Sequence, residues 1–387
     1  METGAVITRR AAFVRFGGVL AGGMMASACG AQSAGGGGTS SPELVWSRPI
    51  GGAVSLAVSG HTVSVGGEGG GVGAEAFDAV TGKPRWSIGS SFTPPAVAFA
   101  AGGDMVLCSG TNANGEDSVT ALSATTGHRL WSTPSYVGNP NAGVGPWLTF
   151  AGTAVYALIG LPGSHAVYRD DVVLALDGRT GARKWMSRLP PRATAMAVAG
   201  GVVYAGSALG SQSVSGEVVA LDGATGTRRW SARVGAPVGA LAVTGGVVTG
   251  CWDNLVSTAP LMYGLNAADG RILWQRDLGV LLPTIAAADG LVFAAADGGL
   301  LAADGLTGRP RWTRTASGQT LNALAVAGNV VYAGFPNSVQ AFTARTGQPL
   351  WSYPAEGLVT KLAVSGGTVY AAADPGGPGC TLYALRG

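Results

Sequence analysis

The sequence predicts an all-β fold: an eight-bladed β-propeller of four-stranded antiparallel blades over residues 42–387, closed by the N-terminal strand pairing into the C-terminal blade. Three observations predict it. A ten-residue cassette ending in Trp recurs seven times. A small-apolar hairpin recurs between its copies. The two ends of the chain carry complementary parts of one blade. Supersecondary repeats of about 40 residues mark such radial architectures.

The cassettes are Phe77–Trp86, Leu122–Trp131, Leu176–Trp185, Leu221–Trp230, Leu265–Trp274, Ala303–Trp312 and Phe342–Trp351. Each opens on an apolar strand and turns at Asp78, Ser123, Asp177, Asp222, Asn266, Asp304 or Thr343. These short polar side chains accept the N–H groups that a tight turn exposes. Each turn ends in glycine, from Gly82 to Gly347. A loop built on a type I turn needs a positive φ near its exit, which glycine supplies without strain. The Trp four residues later alternates into the seam between sheets, where repeated aromatics pack rather than bind ligands.

The second cassette is exemplified by Ala195–Ala205, Leu241–Thr249, Ala323–Ala333 and Leu362–Ala371. It supplies strands A and B, and the Trp cassette supplies strands C and D. The hairpin recurs eight times against seven complete Trp cassettes. The last hairpin is followed by strand C alone, Leu382–Gly387, whereas Leu44–Ser47 is a strand D with no strand C before it. Placing Trp46 beside Tyr383 completes an eighth blade and leaves no open sheet edge in the ring. The repeat tryptophans are then Trp46, Trp86, Trp131, Trp185, Trp230, Trp274, Trp312 and Trp351. Only Trp147 and Trp252 fall outside the pattern.

Composition agrees with a large folded core: 387 residues, 47% hydrophobic, 12% charged, and 65 Gly without a collagen period. The net charge is +3. Removing Arg9, Arg10, Arg15 and Glu2 with the first 28 residues leaves +1. That balance predicts no basic field for nucleic acid or anionic lipid.

Residues 1–28 read as an export signal. Arg9-Arg10 with Phe13 resembles a twin-arginine motif, and Phe16 to Ala28 is an apolar run too short to span a bilayer. Ala26-Ser27-Ala28-Cys29 resembles a lipobox, which implies lipidation of Cys29. A plain signal-peptidase site cuts at the same bond, so membrane-anchored and secreted forms both stand. Residues 29–41 are a Gly-rich tether. Cys108, Cys251 and Cys380 remain, an odd number that reads as buried small hydrophobes rather than a disulfide framework.

The repeat, exemplified by Leu176-Asp-Gly-Arg-Thr-Gly-Ala-Arg-Lys-Trp185, resembles that of the pyrroloquinoline quinone (PQQ)-like propellers. WD-like repeats fit less well, because no cassette Trp is followed by Asp. The resemblance implies one of two branches. One is the quinoprotein dehydrogenases, with PQQ and calcium. The other is non-catalytic and includes the envelope lipoprotein of the outer-membrane β-barrel assembly machinery and some kinase sensor domains. In both the repeat residues are structural.

The enzyme branch implies adjacent cysteines, clustered oxygen ligands for Ca²⁺, a catalytic Asp and arginines for the quinone. No two cysteines are adjacent here. The acids outside the turns reduce to Glu116-Asp117, Asp170-Asp171, Glu217 and Asp253. His61, His128 and His165 lack metal-ligand spacing, and no G-x-S-x-G occurs. The expectation is therefore a non-catalytic scaffold for a protein partner in the envelope, with no catalytic residue, metal or cofactor. The alternatives are a PQQ-dependent oxidoreductase, holding PQQ and calcium, and a small-ligand sensor.

The expected recognition surface follows from loop length. Segments 109–117, 132–146, 159–171, 207–216 and 251–260 are the long connections, all in blades 2 to 5. They hold or adjoin Tyr136, Trp147, His165, Tyr168, Arg169, Asp170, Trp252 and Asp253. Aromatic and Arg side chains on loops above a rigid scaffold suit partner recognition. Simple capping of strand ends by Trp147 and Trp252 is the equal alternative.

Overall fold

The computed structural model describes residues 41–387 apart from 54, 67–71, 90–97, 103, 112–116, 134–143, 166–167, 191, 210–214, 252–260, 278–283, 297–298, 316–320 and 378. The expected export signal, Cys29 and most of the tether lie outside the described residues. So do Tyr136, Trp252 and Asp253.

The described chain is built of antiparallel strands. β1 (Glu43–Ile50) comes first, then six sheets of four strands, each ordered as the chain runs. The first sheet holds β2 (Ser55–Ser59), β3 (Thr62–Gly66), β4 (Val72–Asp78) and β5 (Pro84–Gly89). The second holds β6 (Ala98–Gly102), β7 (Met105–Thr111), β8 (Asp117–Ser123) and β9 (Arg129–Ser132). The third holds β10 (Val144–Ala151), β11 (Ala154–His165), β12 (Tyr168–Asp177) and β13 (Arg183–Arg188). The fourth holds β14 (Ala193–Ala199), β15 (Val202–Leu209), β16 (Ser215–Asp222) and β17 (Arg228–Val234). The fifth holds β18 (Ala240–Thr244), β19 (Val247–Cys251), β20 (Leu261–Asn266) and β21 (Ile272–Asp277). The sixth holds β22 (Ile285–Ala288), β23 (Leu291–Ala296), β24 (Gly299–Asp304) and β25 (Pro310–Thr315).

The seventh sheet differs. β26 (Ala323–Ala327), β27 (Val330–Thr343), β28 (Pro349–Ser365), β29 (Thr368–Asp374) and β30 (Cys380–Arg386) form one six-stranded sheet with β1 at its edge. The expectation of eight separate four-stranded blades is therefore corrected: the propeller has seven hydrogen-bonded sheets. The cause is local. β28 pairs with β27 through Pro349 to Pro354 and with β29 through Leu358 to Ser365. Leu358 is registered against both Pro336 and Asp374. The chain thus passes from the seventh repeat to the eighth without leaving the sheet.

The first strands β2, β6, β10, β14, β18, β22 and β26 touch in succession, β26 touches β28, and β28 touches β2. Closure comes from β1 against β30, with Glu43 beside Arg386 and Ile50 beside Cys380. Trp46 faces Ala384 rather than the expected Tyr383, because the register slips between Leu44 and Trp46. The slip restores a rule of the whole ring. Every repeat Trp faces a small residue across the ladder: Ala76, Ala121, Ala175, Ala220, Gly264, Ala302, Ala341 and Ala384. A large ring needs that space if neighbouring sheets are to pack closely.

Hydrophobic clusters fill the seams between sheets. One joins Trp46, Val63, Val65 and Phe77 to Tyr370, Leu382 and Ala384, uniting the two ends of the chain. Second and third strands such as β15 and β16 are almost wholly buried. This explains their Val-Val-Tyr-Ala and Val-Val-Ala-Leu runs.

Candidate interaction surface

In each four-stranded sheet the turn between strands one and two lies at the same end as the turn between strands three and four. The latter turn is where the repeat residues meet. Asp78 Oδ1 accepts from the Thr81 amide at 2.8 Å and from the Thr81 hydroxyl at 2.8 Å. Its Oδ2 accepts from Arg85 at 2.6 Å. The same arrangement recurs at Asp222 with Thr225 and Arg229, and at Asp304 with Thr307 and Arg311. Lys184 replaces the arginine at Asp177, at 3.4 Å. The Thr81 amide, helped by Arg85, holds the Asp78 carboxyl down to about 2. Arg229, helped by Thr225, does the same for Asp222.

Asp78 and its equivalents do more than the backbone capping expected of them. Their second oxygen serves an ion pair, and the signal was present in the repeat. Where the turn opens with Asp, the residue before Trp is Arg85, Lys184, Arg229 or Arg311. Where it opens with Ser123, Asn266 or Thr343, that residue is Leu130, Leu273 or Leu350.

The repeat tryptophans lock each sheet to the next. Trp46, Trp86, Trp131, Trp185, Trp230, Trp274 and Trp312 donate from Nε1 to the carbonyls of Ala79, Ala124, Gly178, Gly223, Ala267, Gly305 and Ala344, at 2.8–3.0 Å. A second-strand aromatic supports several of them: Tyr156, Tyr204, Phe293, Tyr332 and Tyr370 pack on Trp185, Trp230, Trp312, Trp351 and Trp46. Tyr156 and Tyr370 also donate to the turn carbonyls of Gly223 and Ala79. The Asp, Thr, Gly and Trp of the repeat are thus occupied in structural contacts.

The opposite end carries the longer connections. Segments 109–117, 159–171 and 207–216 were expected as loops, and the structure corrects this in part. β7 and β8 continue to Thr111 beside Asp117, and β15 and β16 to Leu209 beside Ser215. β11 and β12 run to twelve and ten residues, and His165 is registered against Tyr168. In the β11–β12 hairpin the ladder runs on past Ile159 and Val172 through Gly160 beside Asp171 and Leu161 beside Asp170, with a register shift before His165. Trp147 lies in β10, His165 in β11, and Tyr168, Arg169 and Asp170 in β12. Their side chains lie outside the described residues.

Among the acids weighed as calcium ligands, Asp171 is buried and its Oδ2 accepts the Ala193 amide at 2.6 Å, tying the third sheet to the fourth. Among the described residues no three His, Cys, Asp or Glu side chains gather at metal-binding distance. Cys108 and Cys251 are buried and Cys380 is half-buried, and none of the three is in a disulfide. Burial pushes the Cys108 thiol up to about 12.

A family model described as outer membrane protein assembly factor BamB matches residues 32–164 and 169–377. Among solved structures, the computationally designed Ika8 protein is similar at a TM-score of 0.69 and 19% identity, covering 88% of this chain and 99% of that one. BamB from Moraxella catarrhalis is similar at 0.62 and 17%, covering 90% and 98%. Quinohemoprotein alcohol dehydrogenase from Comamonas testosteroni is similar at 0.63 and 16%, covering 89% and 76%. No curated protein matches the chain. At these identities the structural likenesses establish the fold alone, and that fold serves both an assembly factor and a dehydrogenase.

Proposed function

We propose that this chain, which belongs to the PQQ-like repeat family described as outer membrane protein assembly factor BamB, is a non-catalytic extracytoplasmic scaffold that holds a protein partner. The β11–β12 hairpin carries this reading. It is longer than the other second- and third-strand pairs of the four-stranded sheets, which run five to eight residues per strand. A hairpin paired through its own ladder offers a preformed platform, and preorganisation lowers the cost of binding. His165, Tyr168, Arg169 and Asp170 sit on it, and aromatic and Arg residues dominate binding hot spots. The matching family is described as an assembly factor, which accords with a scaffold. The internal satisfaction of the repeat residues supports a structural rather than a chemical use of the turns.

The test is capture from envelope extracts with and without the triple exchange Tyr168→Ala, Arg169→Ala and Trp252→Ala. Loss of a specific partner by a folded triple variant is the expected result. Full retention of every partner by that variant would contradict the assignment.

A further inference from the structure

The near-neutral total charge conceals an uneven distribution. At the turn end of the ring the four Asp of the repeat are already matched by Arg85, Lys184, Arg229 and Arg311. A further set of cations follows the turn glycines: Lys83, Arg129, Arg183, Arg228, Arg271 and Arg309, all exposed. Arg179 and Arg345 lie within two of the turns and are exposed as well. Among the described residues none of these eight has an ion-pair partner. The carboxylates left at this end are few. They are Asp104 and Asp289 beside the hairpin turns, Glu43, which pairs with Arg386 at 3.9 Å, and Asp269, whose Oδ1 accepts the Arg271 amide at 2.9 Å.

Apolar side chains interleave with these cations. Among the described residues the exposed large hydrophobics are Leu44, Val80, Leu130, Met186, Ile272 and Leu306. Val80 and Leu306 stand in the turns, 54% and 62% exposed, and Leu44, Leu130 and Ile272 begin the outermost strands. Only Met186 lies elsewhere. The chain also enters the ring at this end. Glu43 opens β1 beside Arg386, which is registered against Thr368 of the last hairpin turn. β1 therefore begins on the basic face.

We propose that the turn end of the ring is a docking surface for anionic phospholipid. Cations give long-range attraction to a negatively charged leaflet, and exposed Val and Leu at turn tips give apolar insertion into its interface. An acidic protein satisfies the cations but gives no role to Val80 and Leu306. The inference rests on the envelope placement of the scaffold reading, not on its protein partner, so failure at the hairpin leaves it standing.

Residues Thr39–Gly387 form a compact unit that contains every pairing described above, and this fragment is the test material. It is sedimented with vesicles of phosphatidylcholine alone and of phosphatidylcholine mixed with phosphatidylglycerol, at low and high salt. The expected result is binding to the mixed vesicles only, weakened by salt. The quadruple variant Lys83→Gln, Arg183→Gln, Arg228→Gln, Arg309→Gln should lose binding by about 10-fold or more, with unchanged thermal unfolding. If that variant misfolds, Val80→Ser with Leu306→Ser should weaken binding several-fold in a folded protein. Equal binding to neutral and anionic vesicles, or no binding at low salt, overturns the proposal. So does full binding by either folded variant. Tighter binding to polyglutamate than to anionic vesicles assigns the face to an acidic protein and also overturns it.

Discussion

Trp46 donates from Nε1 to the carbonyl oxygen of Ala79 at 3.0 Å, so the outermost strand of the last sheet grips the first sheet of the ring. The same oxygen accepts from the Tyr370 hydroxyl at 3.1 Å, across 291 residues of sequence. Arg48 adds a bond to the Gly82 carbonyl at 2.8 Å. The carbonyl uses both lone pairs for closure, and the Trp46 ring is 7% exposed.

Loss of this clasp should be costly. Trp46→Ala removes a buried aromatic and leaves the Ala79 oxygen one donor short, a loss of about 3–5 kcal/mol. Deleting residues 42–48 should destabilise at least as much, because the β30 edge is then exposed. Chemical unfolding followed by tryptophan fluorescence measures both. Unfolding unchanged by the deletion would contradict the closure by β1.

Glycine at the turn exit answers two demands, and these can be separated. Gly82 has φ +65°, and a Cβ there would lie 2.6 Å from the Trp46 ring. Gly366 has φ +56° with nothing within 4 Å. Gly366→Ala should therefore cost only the left-handed strain, about 1 kcal/mol. Gly82→Ala should cost clearly more, about 2 kcal/mol or above, because the ring must also move. Equal costs would show that the Trp contact adds nothing.

Acid should loosen the turns in a defined window. The depressed carboxyls of Asp78, Asp222 and Asp304 are held down by amide and arginine partners. Their contribution is fully present above the ordinary carboxylate value of about 3.9 and is lost as pH falls below it, toward about 2 for Asp78 and Asp222. Asp78→Asn with Asp304→Asn should flatten the dependence of melting temperature on pH across that window. Identical slopes for parent and variant would contradict it.

The thiols should differ in access. Cys108 and Cys251 are buried and Cys380 is half-buried. Alkylation of the native protein should label Cys380 first, by about 10-fold or more, since a buried thiol reacts only through local opening. Peptide mass mapping over time reads the order. Early labelling of Cys108 would contradict its place in the core.

The strand repeat, the turn chemistry and the terminal clasp were legible in the sequence because each rests on local chemistry repeated many times. The sheet count was not. Nothing in Pro349–Ser365 marks that the chain keeps its ladder while passing between repeats. Nor does loop composition show that Ile159–Asp171 prolongs a hairpin, because pairing across β11 and β12 is a cooperative property of two strands. The basic face was hidden for a different reason. Net charge sums over the whole molecule, whereas Lys83, Arg183, Arg228 and Arg309 act through their shared position at one end of the ring.

The proposed scaffold role entails binding without turnover. The most direct measurement adds PQQ and calcium to the purified protein and follows quinone binding together with dye reduction, with alcohols and sugars as substrates. Neither saturable quinone binding nor turnover is expected. Saturable binding accompanied by substrate-dependent dye reduction would contradict it.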